Sequence, residues 1–143
     1  MNQVQIQILY PVAAMMALTV IVMALMLKER IAEMKERRIH PQKLPSSSQM
    51  SATLQRTRAA DNYKNLFEMP VLFYALCLAL LATETVGAGI VAAAWVYVAL
   101  RCVHSFIHIG YNKVMHRFWV FAASSTLLLF MWVAFVMQLV LRG

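Results

Sequence analysis

Residues 58–81 read RAADNYKNLFEMPVLFYALCLALL. The stretch opens with charged and amide side chains and closes as an apolar run. Glu68 stands at the seam, among Leu66, Phe67 and Met69, with Pro70 two residues on. A carboxylate at the mouth of an apolar helix is costly unless a cation or a ligand meets it. The fold therefore turns on whether this run crosses a membrane, and the function on what Glu68 faces.

The rest of the chain answers the first question. Apolar runs also occupy 8–27, 86–100 with a mixed continuation to 109, and 118–141. Each is near the ~20 residues that cross a ~30 Å hydrocarbon layer as a helix. The chain is 62% hydrophobic and 13% charged, far too apolar for a soluble domain of 143 residues. An all-α integral membrane protein is expected, with residues 1–143 forming one four-helix membrane domain. Its spans are expected at about 6–28, 64–83, 86–109 and 117–141, with a helical extension and linker at 28–64. The first seven residues carry no Lys or Arg, so the first run reads as a retained span rather than a secretory signal.

The cations give the topology. Nine of the 13 lie between the first two spans: Lys28, Arg30, Lys35, Arg37, Arg38, Lys43, Arg56, Arg58 and Lys64. Lys113 and Arg117 lie in the third connection, and the second connection has none. Positive-inside places the first and third connections in the cytoplasm and both chain ends outside. The net charge of +7 then marks a membrane face, in reach of anionic lipid, and nucleic acid is not an expected partner. Cys77 and Cys102 form no CxxC pair and read as buried small hydrophobes.

Charges at 28–39 recur at helical spacing, with Glu33 and Arg37 four apart, so a helix is expected to project past the membrane. Residues 40–48, HPQKLPSSS, break it. A new helix is expected from near Ser48 or Ser51, with a hydroxyl cap, running unbroken through Arg58 and Glu68 into the membrane and kinked by Pro70. Residues 87–89 (GAG) are expected to make the outer turn and 109–113 (IGYNK) the inner one.

Arg101, His104 and His108 are spaced three and four apart and share a face of the third span. Arg101 lies ~12 Å inside the inner turn at helical rise, where an unpaired arginine costs about 2.5–3.5 kcal/mol. Asp61, Asn65 and Glu68 share a face of the second span, so the two faces are expected to meet, within a chain or across a subunit contact, with Glu68 answering Arg101. This reads either as an ion pair that sets bundle register or as a ligand site, since Arg58, Lys64, Tyr111 and Arg117 lie close in sequence. His104 and His108 have metal-ligand spacing, but the surrounding cations disfavour a dication, and no metal is expected. A cation-rich pocket with one carboxylate suits a small zwitterionic anion, and glutathione fits that description.

NLFE (Asn65, Glu68) with Pro70 just after, followed by RCVH (Arg101, His104) in the third span, resembles the membrane-associated proteins in eicosanoid and glutathione metabolism, the MAPEG family. The likeness extends over most of the chain, and DNYKNLFEMPVLFYAL reads like the bacterial branch. The resemblance implies a homotrimer of four-helix subunits in the bacterial inner membrane. Glutathione, the co-substrate, would lie between subunits on the cytoplasmic side. By matching positions, Glu68 would take its ammonium, and Asn65 and Arg101 its peptide and carboxylates. His104 would stand where members have His or Tyr, and Arg117 would support the thiolate as the catalytic residue. Arg58, His108 and Tyr111 complete the expected glutathione-binding set. Three positions depart from the family: Asp61 stands where an arginine is usual, His108 where tyrosine is frequent, and Phe118 where prostaglandin-type members have serine. The implied function is a glutathione-dependent transferase or peroxidase acting on lipophilic electrophiles that arrive through the bilayer. The alternatives are a non-catalytic lipid- or small-anion-binding relative and, further off, a proton or ion transporter.

Overall fold

The computed structural model describes residues 3–142. Met1, Asn2 and Gly143, counted in the expected 1–143 domain, lie outside the described residues. In chain order the helices are α1 (Gln3–Gln7), α2 (Leu9–Glu36), α3 (Ser47–Thr53), α4 (Arg58–Asn65), α5 (Met69–Ala82), α6 (Ala88–Ile109) and α7 (Val114–Arg142), with a 3-10 turn at Pro41–Lys43. Four helical stretches are long and apolar enough to cross a membrane: Gln3–Glu36, Arg58–Ala82, Ala88–Ile109 and Val114–Arg142. At most 44% of any of their apolar windows is buried, so most of that surface faces outward, as lipid contact requires.

Packing is an inversion of a soluble core. Met16, Phe106, Phe130 and Val140 point outward, whereas the largest fully buried side chain is Arg101. The apolar interior is built from Met15 and Val22 of α2, Phe73, Leu76 and Leu80 of α5, Ala94 and Tyr97 of α6, and Leu128 and Met131 of α7. A smaller cluster, Met26 with Ala59 and Ala60, seats α4 against α2 at the basic end of the bundle. The two alanines let the helices approach closely.

The second span is not the continuous helix expected from the sequence. It is interrupted between α3 and α4 and again at residues 66–68. At the second break the Phe67 and Glu68 N–H groups reach back three residues, to Lys64 and Asn65, and Glu68 becomes the N-cap of α5. Pro70 explains this. A helix-interior proline would clash with the carbonyl four residues earlier and leave it unbonded, whereas in a first turn neither cost arises. Pro70 accordingly begins a helix instead of kinking one. The cap of α3 is Ser46, whose Oγ accepts the Gln49 N–H at 3.2 Å, rather than Ser48 or Ser51. Cys77 is buried as expected, but Cys102 is exposed.

The turns also depart from the glycine reading. Gly87 caps α6 and Gly89 lies inside that helix, while the left-handed residue of the α5–α6 turn is Glu84, at φ 53°. In the α6–α7 turn Asn112 takes the left-handed position at φ 50°, and Gly110 is needed for close approach. A Cβ on Gly110 would lie 2.8 Å from the Phe106 carbonyl oxygen. Gly110→Ala is therefore expected to destabilise the α6–α7 hairpin by about 1–3 kcal/mol. A lowered thermal midpoint in detergent checks this, and an unchanged midpoint refutes it.

Beyond the bundle, α2 continues as the expected projecting helix and ends with Arg38 at φ 51° and the Ile39 N–H on the Met34 carbonyl at 2.9 Å. This is the Schellman arrangement, whose left-handed position favours glycine. Glu33, buried on this extension, clasps the returning loop. It accepts the backbone N–H groups of Gln55 (2.7 Å) and Arg56 (2.9 Å) and one N–H of Arg37 (3.0 Å). Arg37 also donates to the Thr53 carbonyl at 2.6 Å, and Arg56 pairs with Glu36 at 2.8 Å.

Candidate functional site

The break that Pro70 imposes places Asn65 and Glu68 at the end of one helix and the start of the next. Across from them run α6 and the first turns of α7. Between these elements lies a cleft of about 260 Å³, lined by Asn65, Glu68, His104, Val114, Arg117, Phe118 and Phe121. Four residues singled out in the sequence thus share one wall: an amide, a carboxylate, an imidazole and a guanidinium.

Arg101 sits behind that wall. Its Nη2 donates to the Asn65 carbonyl oxygen at 3.2 Å, and its guanidinium carbon lies 5.7 Å from the centre of the Phe121 ring. A direct pairing with Glu68 within the chain is absent: Glu68 makes no ion pair among the described residues and is exposed. The faces of the second and third spans do meet, but through a backbone carbonyl. At the break the Asn65 carbonyl loses its partner four residues on and accepts only a long bond from the Glu68 N–H, 3.4 Å, and a buried guanidinium shares the acceptor. The Nε and Nη1 atoms of Arg101 make no hydrogen bond to the described residues.

Arg117 donates to Asn112 Oδ1 at 3.0 Å, the only hydrogen bond of its side chain among the described residues. The left-handed turn at Asn112 thus steers a side chain that begins one turn later, and the rest of the guanidinium fork is open to a ligand. The other expected residues stand apart. Arg58 donates to the Gly110 carbonyl at 2.7 Å, which ties α4 to the α6–α7 turn. Tyr111 bonds its hydroxyl to His116 at 3.1 Å, on the surface. His108 is buried edge-to-face against His104, with ring centres 5.6 Å apart, and does not line the cleft. Asp61 is half-buried at the edge of α4.

Sequence reasoning missed Asn62, Phe121 and Asn112. Asn62, not Asp61, is the polar residue on the buried face of α4, and it accepts the Ser105 hydroxyl at 3.3 Å. Phe121 follows Arg117 by four residues, so helical spacing alone placed it on the same face. Asn112 carried only the weak signal that asparagine tolerates left-handed backbone. Tyr97, fully buried and stacked on Phe73 at 4.7 Å, extends the Arg101–His104–His108 stripe one turn deeper. Among the described residues no cluster of three His, Cys, Asp or Glu side chains has metal-binding geometry.

A four-span helical bundle with a polar, charged cleft at its basic end defines a multi-pass integral membrane protein with a candidate small-molecule site. Residues 8–137 match the MAPEG family, and the chain belongs to that family. No curated protein and no solved structure matches it.

Proposed function

We propose that the protein is a glutathione-dependent transferase or peroxidase acting on lipophilic electrophiles, with glutathione bound in the cleft. The observation that carries this reading is the convergence of Glu68, Asn65, His104 and Arg117 on one cleft in a chain of this family. The cleft's chemistry suits the tripeptide. Glu68 offers its carboxylate to the ammonium, Asn65 its amide to a peptide group, and Arg117 its free donors to the thiolate. Val114, Phe118 and Phe121 give an electrophile an apolar approach from the lipid side.

Glutathione carries two carboxylates, and this wall supplies one guanidinium. A further cation has to come from outside the cleft's own lining, and the trimer that the family resemblance implies would provide it from a neighbouring subunit. On this reading the basic end of the bundle faces the cytoplasm, where glutathione is met. Arg101 acts from behind, holding the Asn65 carbonyl and hence the geometry of the break.

Calorimetric titration of the detergent-purified protein with glutathione tests the binding. Wild type should release measurable heat with a millimolar or tighter Kd. Glu68→Gln, which removes the ammonium's partner, should weaken binding about tenfold. Arg101→Ala should weaken it comparably, although Arg101 touches no ligand. Absence of heat from the folded wild type would end this reading.

A further inference from the structure

The extension of α2 segregates its charges. Glu29, Glu33 and Glu36 are spaced four and three apart and share one side. Glu33 and Glu36 are committed to the loop, through Gln55 and Arg56. Lys28, Ile31, Lys35 and Arg38, spaced three, four and three apart, occupy the other side. There a depression of about 390 Å³ opens. Ile31, Met34 and Ile39 supply its apolar lining, Lys35, Arg38 and His40 its charged and polar lining, and no acid borders it. Neither Lys35 nor Arg38 forms an ion pair among the described residues.

Arg38 adds an independent observation. It holds the left-handed Schellman position at φ 51°, where glycine carries no penalty and a side chain does. Backbone strain retained at a non-glycine residue points to a use for the side chain, and this one lines the depression. The place along the helix narrows the use. The apolar run ends at Leu27, so at helical rise Ile31 stands ~6 Å and Arg38 ~16 Å beyond it. The head-group layer occupies the first ~5–8 Å beyond the hydrocarbon. Lysine and arginine stems are long enough to bring their charges back toward it.

We propose that this depression binds the head group of an anionic phospholipid of the surrounding bilayer. Its phosphodiester lies against Lys35 and Arg38, whose stems reach back toward the membrane, and its glycerol lies on Ile31. Charge complementarity selects this occupant over the same end of a second copy, which would bring the same cations, with Glu33 and Glu36 already bonded to their own loop. The site is separate from the cleft and does not depend on glutathione binding.

Thermal unfolding in dodecyl maltoside micelles tests it, with phosphatidylglycerol or phosphatidylcholine added at equal mole fraction. Wild type should gain on the order of 5 °C more from phosphatidylglycerol than from phosphatidylcholine. Arg38→Gly should move two readouts in opposite directions. Its midpoint without added lipid should hold or rise, because the strain is gone, while its phosphatidylglycerol increment falls by half or more. Lys35→Gln should lose a similar share, and Arg142→Gln, at the far end of the bundle, should keep the full increment. Equal responses to the two lipids would overturn the proposal. So would a full increment in both Arg38→Gly and Lys35→Gln, or reproduction of the whole effect by millimolar inorganic phosphate alone.

Discussion

Arg117→Ala should slow conjugation of an aryl halide about 25-fold at pH 7, with the deficit shrinking as pH rises. A free thiol of pKa ~8.5 is roughly 3% thiolate at pH 7, and one lowered to ~6.5 by an adjacent guanidinium is roughly 75%. Only the thiolate attacks, so the ratio of those fractions sets the loss. The sign follows from the direction of the shift. The cation favours the deprotonated nucleophile, so its benefit is greatest below the free thiol's pKa and vanishes above it. The Arg117→Ala profile should therefore keep climbing through pH 8.5, where the wild-type profile has already levelled. Parallel profiles, or an undiminished rate at pH 7, would remove Arg117 from the chemistry. Because Arg117 donates to Asn112 at 3.0 Å, Asn112→Ala is the informative companion. It leaves the guanidinium in place but frees its orientation, so a smaller loss with the wild-type pH profile is expected.

Glu33→Ala should open the loop between α2 and α4 roughly 30–150-fold more often. The carboxylate accepts two consecutive backbone N–H groups and one arginine N–H, all within 3.0 Å. Charge-assisted bonds of this kind contribute about 2–3 kcal/mol together after exchange with water, and ~1.4 kcal/mol is a tenfold change in equilibrium. Limited trypsin digestion reads the opening directly, since Arg56 and Arg58 flank the clasped turn. Cleavage there should accelerate in proportion, because nicking of a native protein tracks local opening. Glu33→Gln retains one acceptor oxygen and should fall between wild type and alanine. Wild-type digestion rates for Glu33→Ala would show that the loop is held by other contacts. The consequence reaches the cleft, since α4 follows directly from this clasp and delivers Asn65 as its eighth and last residue.

The local features of the chain were legible because each rests on nearby residues. Arg101, His104 and His108 share a buried face, as their spacing required. The Glu33–Arg37 pair forms at the expected separation, at 3.0 Å. The errors were also local, and each has a competing cause. The second span reads as one helix when Pro70 is taken as a kink, but a proline is more comfortable starting a helix than bending one. The outer turn reads as glycine-driven, yet Glu84 carries the left-handed backbone. Ser46 caps α3 in place of Ser48 or Ser51 because the break after Pro45 allows the helix to begin earlier.

By itself the amino-acid sequence determined a four-span helical membrane chain, since hydrocarbon thickness sets a length that four apolar runs meet and no soluble fold would tolerate. It also named the polar residues that have to turn inward, because a guanidinium or carboxylate cannot be left in lipid. Only the tertiary structure decided which of them meet. Arg101 rests on the Asn65 carbonyl instead of the Glu68 carboxylate, and Glu68, Asn65, His104 and Arg117 share a cleft while Arg58, His108 and Tyr111 do not. Those partnerships depend on the depth and rotation of α4 and α5 against α6 and α7. These are set by where the helix breaks and how closely Ala59 and Ala60 let it approach α2, and residue spacing within any single helix carries no record of either.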